Sequence, residues 1–204
     1  MKTLPCVLIA NENPPKTYLT ALDLVGLSYD CNFSPKNLDK YSALVLIGGG
    51  DIIPQFYGKN IDFSGENIIR DLKEFTLLDY FYTKKLPILA ICRGLQVVNV
   101  YLGGTLKNVT NHQSKDKKDV YHKVIPTKNG FLKNFVFVNS NHHQAVDVIC
   151  DKAKDVLFSC DGEIEGFCVD DFIFATQFHP ERMRLNACIY VFGKFASAVL
   201  KGKI

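Results

Sequence analysis

A cysteine lies where a buried strand is expected to turn directly into a helix. The apolar run that starts at Ile88 leads into Cys92, and Gly94 follows two residues later. This order of strand, nucleophile and helix is typical of a nucleophile elbow, here with Cys in place of Ser. The unpaired N–H groups and the positive dipole end of the helix would lower the pKa of the thiol and favour the reactive thiolate. The alternative is a buried structural cysteine, which is the commoner role of this residue.

A histidine and a carboxylate follow a second apolar run. The run Phe172–Phe178 is followed by His179, Pro180 and Glu181. Residues two apart in an extended chain point to the same face, so Glu181 could orient the imidazole of His179. A histidine oriented in this way can act as general base and general acid for a thiol. A turn in which His and Glu merely flank a proline is the alternative.

Three consecutive glycines follow a third apolar run. Gly48, Gly49 and Gly50 come after Ala43–Ile47 and precede Asp51. Without Cβ atoms, this backbone can approach a ligand closely and present N–H groups to it, as an oxyanion hole requires. A phosphate-binding loop is rejected because the Lys-Ser/Thr ending of that motif is missing. A plain turn remains the other interpretation.

The three segments can meet only if a particular kind of sheet carries them. The runs Leu4–Ala10, Ala43–Ile47 and Ile88–Cys92 are apolar without alternation, which is typical of strands buried on both faces of a parallel sheet. Helical patterns are predicted at Glu66–Lys84, at Val97–Leu102 after Arg93-Gly94, and at Asn186–Lys201. We therefore predict an α/β fold with a doubly wound, mostly parallel sheet, whose strands end at one edge and bring the three segments together.

Helical spacing also predicts which side chains face the core. In the first long helix these are Ile69, Leu72, Phe75, Leu78 or Asp79, and Phe81 or Tyr82. In the last helix they are Ile189, Phe192 or Gly193, Phe195 or Ala196, and Val199 or Leu200. Arg70, Asp71 and Glu74 lie within one turn, and they either pair at the surface or include an arginine that helps to shape the site.

The second half of the sequence has a different pattern. Its apolar runs are short, closely spaced and rich in aromatic and β-branched residues, which predicts an antiparallel or mixed extension of the sheet. These runs are Val120–Pro126, Phe135–Asn139, Ala145–Cys150, Val156–Ser159, Gly166–Val169 and Phe172–Phe178. The polar stretch from Lys107 to Asp119 is predicted to be an exposed loop.

Composition excludes several classes of protein. The 204 residues are 47% hydrophobic and 22% charged, which excludes a disordered or fibrous chain and fits a single domain over residues 1–204. The net charge of +3 is too small to indicate a nucleic-acid interface. Seven cysteines cannot all pair, which favours a reducing compartment. No apolar run approaches the roughly 18 residues of a membrane span or resembles a cleaved leader, so we expect a cytoplasmic protein without a membrane partner.

Taken together, the motifs resemble those of a known family. From about residue 4 to about residue 200 the sequence is similar to class I glutamine amidotransferases, and within them to gamma-glutamyl hydrolases of the gamma-glutamyl-GABA hydrolase type. The matching segments are Gly48–Asp51 with Pro54 and Tyr57, Arg70-Asp71 with Glu74, Cys92–Gln96 through Asn99 and Gly103–Leu106, Val138–Gln144, Asp161-Gly162 with Ile164-Glu165, and Gln177–Glu181.

The resemblance implies a role for each matching residue. Cys92 would be the nucleophile, His179 the general base and acid, and Glu181 the group that orients His179. The backbone N–H groups of Arg93 and Gly49 would form the oxyanion hole. The remaining substrate-binding residues implied in this way are Gly48, Gly50, Gln96, Asn141, His142, His143 and Gln144.

The resemblance also bounds the substrate and the partners. It implies hydrolysis of a gamma-glutamyl amide through a glutamyl thioester, without a cofactor, by a monomer or homodimer. The chain is shorter than typical gamma-glutamyl-GABA hydrolases and its loop from Leu106 to His122 is compact, so a gamma-glutamyl nucleotide phosphoramidate, such as gamma-glutamyl-CDP-amidate in capsule biosynthesis, is also a candidate. The alternatives are a glutaminase subunit that delivers ammonia to a synthetase and a binding module with an inactive site.

No metal site is expected from the sequence. His142 and His143 are adjacent, so on a strand they point in opposite directions, and no Cys, Asp or Glu lies close to them in the sequence to complete a ligand set. Cys160 and Cys168 form no Cys-x-x-Cys pair and are interpreted as structural.

Overall fold

The computed structural model describes residues 5–60, 67–116, 118–127 and 129–202. Leu4 and Glu66, which begin a predicted strand and a predicted helix, and Lys117 of the predicted loop lie outside the described residues. The strands are β1 (Cys6–Ile9), β2 (Ser28–Cys31), β3 (Ala43–Leu46), β4 (Ile88–Ile91), β5 (Leu106–Asn108), β6 (Val120–Ile125), β7 (Phe137–Ser140), β8 (Gln144–Val146), β9 (Ala153–Ser159), β10 (Ile164–Val169) and β11 (Ile173–Thr176). The helices are α1 (Lys16–Leu24), α2 (Ile68–Thr83), α3 (Arg93–Tyr101) and α4 (Leu185–Lys201), with 3₁₀ turns at Pro54–Tyr57 and Pro180–Arg182.

Within these ranges, nine strands form one sheet in the order β2-β1-β3-β4-β11-β10-β9-β6-β7. The pairings from β2 to β11 are parallel, and those from β11 to β7 are antiparallel. Strands β5 and β8 form a separate antiparallel pair. The predicted α/β sheet with a parallel part and an antiparallel extension is therefore confirmed.

The inner parallel strands β3 and β4 are covered on both faces, which explains their unbroken apolar sequences. Every residue of β3 and β4 is buried. Leu89 and Ile91 of β4 pack in the core beneath α1 and α4, whereas Ile88 and Ala90 pack in the core beneath α2 and α3. Alternate side chains thus enter two different cores, and no polar residue can be placed in the strand without meeting one of them.

Several predicted elements are wrong in extent or are missing. Strand β4 ends at Ile91, one residue before the prediction, because Cys92 already belongs to the turn. Only two residues of the predicted strand Ala145–Cys150 are in β8. Helix α1, β2 and β5 were not predicted, and the two strands lack apolar runs since β2 lies at the sheet edge and β5 pairs only with β8.

The predicted inward face of α2 is wrong over its first two turns. Ile69 and Leu72 are 62% and 50% exposed, while Asp71 and Glu74 are fully buried. The side chain of Arg93 lies between these two carboxylates, so charge pairing overrides the apolar pattern there. In the last helix Ile189 is 40% exposed, and the neighbouring Cys188 packs inward instead.

The described part of the chain contains neither a membrane-spanning helix nor a disulfide. None of its helices is long and apolar enough to cross a membrane. No disulfide joins the seven cysteines, all of which lie in the described ranges.

Candidate active site

Cys92 occupies a strained turn at the carboxyl end of β4. Its φ of 55° and ψ of −109° are unusual for a residue with a side chain, and such strain costs about 1–3 kcal/mol. The N–H of Cys92 donates to Thr176 O at 2.7 Å, which ties the turn to the end of β11. A Cβ on Gly94 would lie 2.5 Å from Leu46 O, so only glycine lets α3 begin this close to β3. These contacts place the Cys92 thiol at the N-terminus of α3.

His179 reaches Cys92 because β11 runs parallel to β4 and ends beside it. Nδ1 of His179 lies 2.7 Å from Oε1 of Glu181, and both residues are buried. The pairing was predicted for an extended chain, but the structure achieves it through the 3₁₀ turn Pro180–Arg182. The backbone N–H of His179 donates to Asn139 Oδ1 at 3.0 Å, which anchors the backbone of His179 from the direction of β7.

The electrostatics of this group favour a charged pair. Burial raises the pKa of the Cys92 thiol, but the charge and hydrogen bond of His179 outweigh burial, and His142 and the Arg93 N–H add to them, so the pKa of Cys92 lies below its ordinary value. Burial opposes the charge on His179, yet Cys92 and Glu181 raise the pKa of His179 to about 9. The arrangement therefore favours the thiolate of Cys92 beside the imidazolium of His179.

The glycine-rich segment forms the wall opposite His179. A Cβ on Gly48 would lie 3.0 Å from Cε1 of His179, and a Cβ on Gly49 would overlap the guanidinium of Arg70. That guanidinium donates from Nη2 to Gly48 O at 3.0 Å and to Ile47 O at 3.3 Å. The segment is held from outside by Arg70, and Gly49 is exposed at its tip.

A buried charge cluster connects this segment to the elbow. Arg93, only 2% exposed, pairs through its two terminal nitrogens with Asp71 and Glu74. Glu74 also accepts from Nε of Arg70 at 2.9 Å. Helix α2 thus supplies the carboxylates that hold Arg93 and Arg70, and through them the two segments that carry the predicted oxyanion donors. The surface pairing considered from the sequence is wrong for Asp71 and Glu74.

One amide side chain contacts the thiol, and a second amide side chain braces the first. Nε2 of Gln177 lies 3.7 Å from Sγ of Cys92. Nε2 of Gln96 donates to Gln144 O at 2.9 Å and to Oε1 of Gln177 at 3.2 Å. The structure thus brings Gln96 and Gln144 to the site, with the amide nitrogen of Gln96 used to brace its neighbours.

In the segment Asn141–Gln144, His143 contacts the residue that follows the glycines, whereas His142 bonds within its own segment. His143 contacts Asp51, with Nε2 2.8 Å from Oδ1, which joins this segment to the residue after Gly50. His142 is buried, and its Nδ1 lies 2.9 Å from Gln144 O. Asn141 is half-buried in the same turn.

Three residues of the site were not assigned a role from the sequence. The hydroxyl of Tyr18 accepts from the Gly48 N–H at 3.2 Å and lies 3.4 Å from Nδ1 of His179. Asn139 and Gln177 were noted only as parts of motifs. The position of Gln177, two residues before His179 at a strand end, was a usable signal; Tyr18 has none, since it is 161 residues from His179.

The sequence is similar to proteins of several organisms. It is 36% identical over 167 residues to a putative glutamine amidotransferase of Schizosaccharomyces pombe, which covers 74% of this chain and 64% of that protein. It is 32% identical over 158 residues to the gamma-glutamyl-CDP-amidate hydrolase of Campylobacter jejuni (76% of this chain, 70% of the other). It is 29% identical over 167 residues to the gamma-glutamyl-gamma-aminobutyrate hydrolase of Escherichia coli K12 (71% and 65%). The chain thus spans less than two thirds of the first and third of these relatives.

The fold is also found among solved structures. A putative GMP synthase component from Thermoplasma acidophilum superposes with a TM-score of 0.74 at 18% identity, over 100% of this chain and 98% of that one. The model of the peptidase C26 family matches residues 24–181, which include every residue of the site except Tyr18. The chain therefore belongs to the peptidase C26 family and has the fold of the class I glutamine amidotransferases.

Proposed function

We propose that this protein is a cysteine hydrolase that cleaves the amide bond of a gamma-glutamyl compound and releases glutamate. The observation that carries the proposal is the buried Cys92, whose pKa is lowered by an imidazole that Glu181 holds at 2.7 Å. A stabilised thiolate with a proton donor beside it is the arrangement that acyl transfer through a thioester requires.

In the proposed mechanism, Sγ of Cys92 attacks the γ-carbonyl carbon and the carbonyl oxygen gains negative charge. The N–H groups of Gly49 and Arg93 donate to this oxygen. His179 gives its proton to the leaving nitrogen, the C–N bond breaks, and a glutamyl thioester remains on Cys92. His179 then takes a proton from water, whose oxygen attacks the thioester and frees glutamate. Glu181 keeps the imidazole oriented through both steps.

The leaving group is proposed from the relatives. The Campylobacter jejuni relative is a gamma-glutamyl-CDP-amidate hydrolase, and the Escherichia coli relative is a gamma-glutamyl-gamma-aminobutyrate hydrolase. We therefore propose a gamma-glutamyl amine or a gamma-glutamyl nucleotide phosphoramidate as substrate. The glutamyl part would contact the segment of Asn141, His142, His143 and Gln144, together with Gln96, Gly48 and Gly50.

The second candidate function is that of a glutaminase subunit, favoured by the similarity to a putative glutamine amidotransferase. The two functions differ in what the isolated protein hydrolyses. We expect the purified protein alone to release glutamate from gamma-glutamyl-GABA or gamma-glutamyl-CDP-amidate much faster than from glutamine. Glutamate is measured with a coupled dehydrogenase. Failure to hydrolyse any gamma-glutamyl amide, with Cys92 still reactive towards a glutamine-like electrophile, would reject the hydrolase and favour the glutaminase.

The activity is expected to depend on pH with two limbs. It should rise as Cys92 loses its proton, at a pH below the ordinary thiol pKa, because the thiolate is the nucleophile. It should fall as pH passes about 9, where His179 loses the proton that the leaving nitrogen needs. The measurement is kcat/KM against pH. A single rising limb that continues beyond about pH 10 would contradict the charged pair.

Replacing Glu181 with glutamine is expected to shift the descending limb to lower pH. The carboxylate stabilises the imidazolium, so its loss lowers the pKa of His179. Turnover should fall less than in a Cys92 variant, because an orienting group contributes only part of the catalytic effect. Glu12→Gln, at an exposed site, is the matched control and should leave the pH profile unchanged. An unmoved limb in Glu181→Gln would exclude this role for the carboxylate.

A further inference from the structure

Three buried metal-ligand side chains converge beside the candidate active site. They are His112 from the loop after β5, His142 from the turn between β7 and β8, and Glu165 from β10, with exposed fractions of 1%, 4% and 0%. Their ligand atoms all lie within 4.8 Å of one another. The sequence-based expectation of no metal site rested on the absence of a nearby carboxylate, and the fold supplies one from 23 residues further along the chain.

The hydrogen bonds determine which ring nitrogens carry protons. Nδ1 of His142 lies 2.9 Å from Gln144 O, and Nε2 of His112 lies 3.1 Å from Oδ2 of Asp161. A carbonyl or carboxylate oxygen can only accept, so these two nitrogens donate. In the neutral rings, the remaining nitrogens, Nε2 of His142 and Nδ1 of His112, therefore present lone pairs.

Both nitrogens lie near the same carboxylate oxygen. Oε1 of Glu165 lies 3.6 Å from Nδ1 of His112 and 3.9 Å from Nε2 of His142. Among the described residues, these two nitrogens and both oxygens of Glu165 are buried without a hydrogen-bond partner. With both rings neutral, three electron-pair donors therefore face one another. Such a group of unpaired buried atoms is costly unless a cation is shared among them.

We propose that His112, His142 and Glu165 bind a divalent transition metal, with Zn²⁺ as the best match to the ligand types. Zn²⁺ binds His nitrogen and carboxylate oxygen at about 2.0–2.2 Å, so tetrahedral ligands lie about 3.3–3.5 Å apart. The separations of 3.6 Å and 3.9 Å need to close by a few tenths of an ångström, and the ligand nitrogens of the two histidines, which lie within 4.8 Å of each other, need to approach to the same range. The hydrogen bonds that the two histidines donate to Asp161 and to the Gln144 carbonyl match the way metal-binding histidines are oriented in proteins.

A bound metal would join three distant segments of the chain. The backbone of His112 already accepts from the His142 N–H at 3.1 Å and from Oγ of Ser140 at 2.7 Å. The metal would add a third connection, to β10, and would hold the loop between β5 and β6 against the sheet. This role does not depend on the proposed hydrolysis.

A second grouping makes a useful control. The ring of His122 stacks on that of His112, with centroids 4.2 Å apart, and His122, His112 and Asp161 could also be brought around an ion. In this grouping, Asp161 already accepts a hydrogen bond from Nε2 of His112. The buried set with Glu165 is therefore preferred, and His122→Ala should leave the metal in place.

The test is metal binding by the whole chain. Protein freed of metal with a chelator is titrated with Zn²⁺ against a chromogenic competitor, and the thermal midpoint is measured with and without Zn²⁺. We expect one Zn²⁺ per chain and a higher midpoint in its presence. Glu165→Gln and His142→Ala should each lose the bound metal and the midpoint increase. Asp161→Asn should weaken binding about 10–100-fold, as expected for a residue that orients a ligand.

Two further measurements show whether each variant is folded and which ligands hold the metal. Circular dichroism of each variant shows whether it is folded, and Glu165→Gln keeps the size of the side chain it replaces. Co²⁺ absorption distinguishes nitrogen and oxygen ligands from thiolates, which matters in a chain with seven cysteines. The proposal is overturned if wild-type protein binds no stoichiometric Zn²⁺, if folded Glu165→Gln binds it equally well, if His122→Ala loses it, or if Co²⁺ shows thiolate ligation.

Discussion

Replacing Cys92 with alanine is expected to abolish the release of glutamate while the protein stays folded. The side chain is the proposed nucleophile, and without it no thioester can form. Removing the nucleophile of a catalytic triad costs about 10⁴-fold or more in kcat. The fold should survive because the change removes a single buried atom, the Cys92 sulfur, and leaves the N–H of residue 92 bonded to Thr176 O. The measurements are steady-state turnover of the best gamma-glutamyl substrate and the thermal midpoint of unfolding.

Another cysteine provides the matched control. Cys160 is exposed and lies outside the site, so Cys160→Ala should keep wild-type turnover. Iodoacetamide should label the wild type and Cys160→Ala rapidly at a pH where ordinary thiols react slowly, since the pKa of Cys92 is lowered. Wild-type turnover in Cys92→Ala would reject the thioester mechanism.

Replacing Arg93 with methionine is expected to be the most destabilising single change at the site. Arg93 is buried between Asp71 and Glu74, which are themselves fully buried. Methionine fills much of the same volume but leaves the two carboxylates without this positive charge. Breaking a buried ion pair by removing one partner costs about 3–5 kcal/mol. The free energy of unfolding is measured by urea denaturation at neutral pH.

An exposed ion pair separates this effect from the loss of a positive charge as such. Lys84 pairs with Asp39 at 2.6 Å, where both side chains are largely exposed to solvent. Lys84→Met should therefore change the unfolding free energy very little. Adding Asp71→Asn to Arg93→Met should recover part of the lost stability, because it removes a buried negative charge that has lost its pairing with Arg93, whereas Glu74 keeps its pairing with Arg70. Equal stabilities for the Arg93 and Lys84 variants would show that the buried cluster does not stabilise the fold.

Helix α2 illustrates where sequence patterns are sufficient and where they fail. Apolar spacing correctly identified the helix and the burial of Leu78 and Phe81 in its second half. It failed at Ile69 and Leu72 because the first turns face Arg93, whose charge is satisfied by Asp71 and Glu74. A periodicity rule assumes that the buried face is apolar. In the first turns of α2 the buried face is charged instead, because it packs against the buried Arg93.

In the candidate site, too, sequence patterns identified some residues and missed others. Cys92 at the elbow, His179 with Glu181, and the Gly48–Gly50 segment were all identified from short stretches of sequence. Each depends on local chemistry: a glycine where backbones approach, a strand end, or two polar groups a few residues apart. The contact of Tyr18 with His179 and that of Gln177 with Cys92 were not identified, since they join residues 161 and 85 positions apart.

The sequence by itself determined the parallel core, the three segments at its carboxyl edge and the types of residue that carry the chemistry. These follow from local burial and turn geometry, which leave a pattern within a few neighbouring residues. The tertiary structure decided the partners of the charged and polar groups: α2 with Arg93, Arg70 with the glycines, and Glu165 with His112 and His142. The physical reason is that a buried charge is satisfied by whatever group the fold brings within a few ångströms, and separation along the chain does not predict that distance.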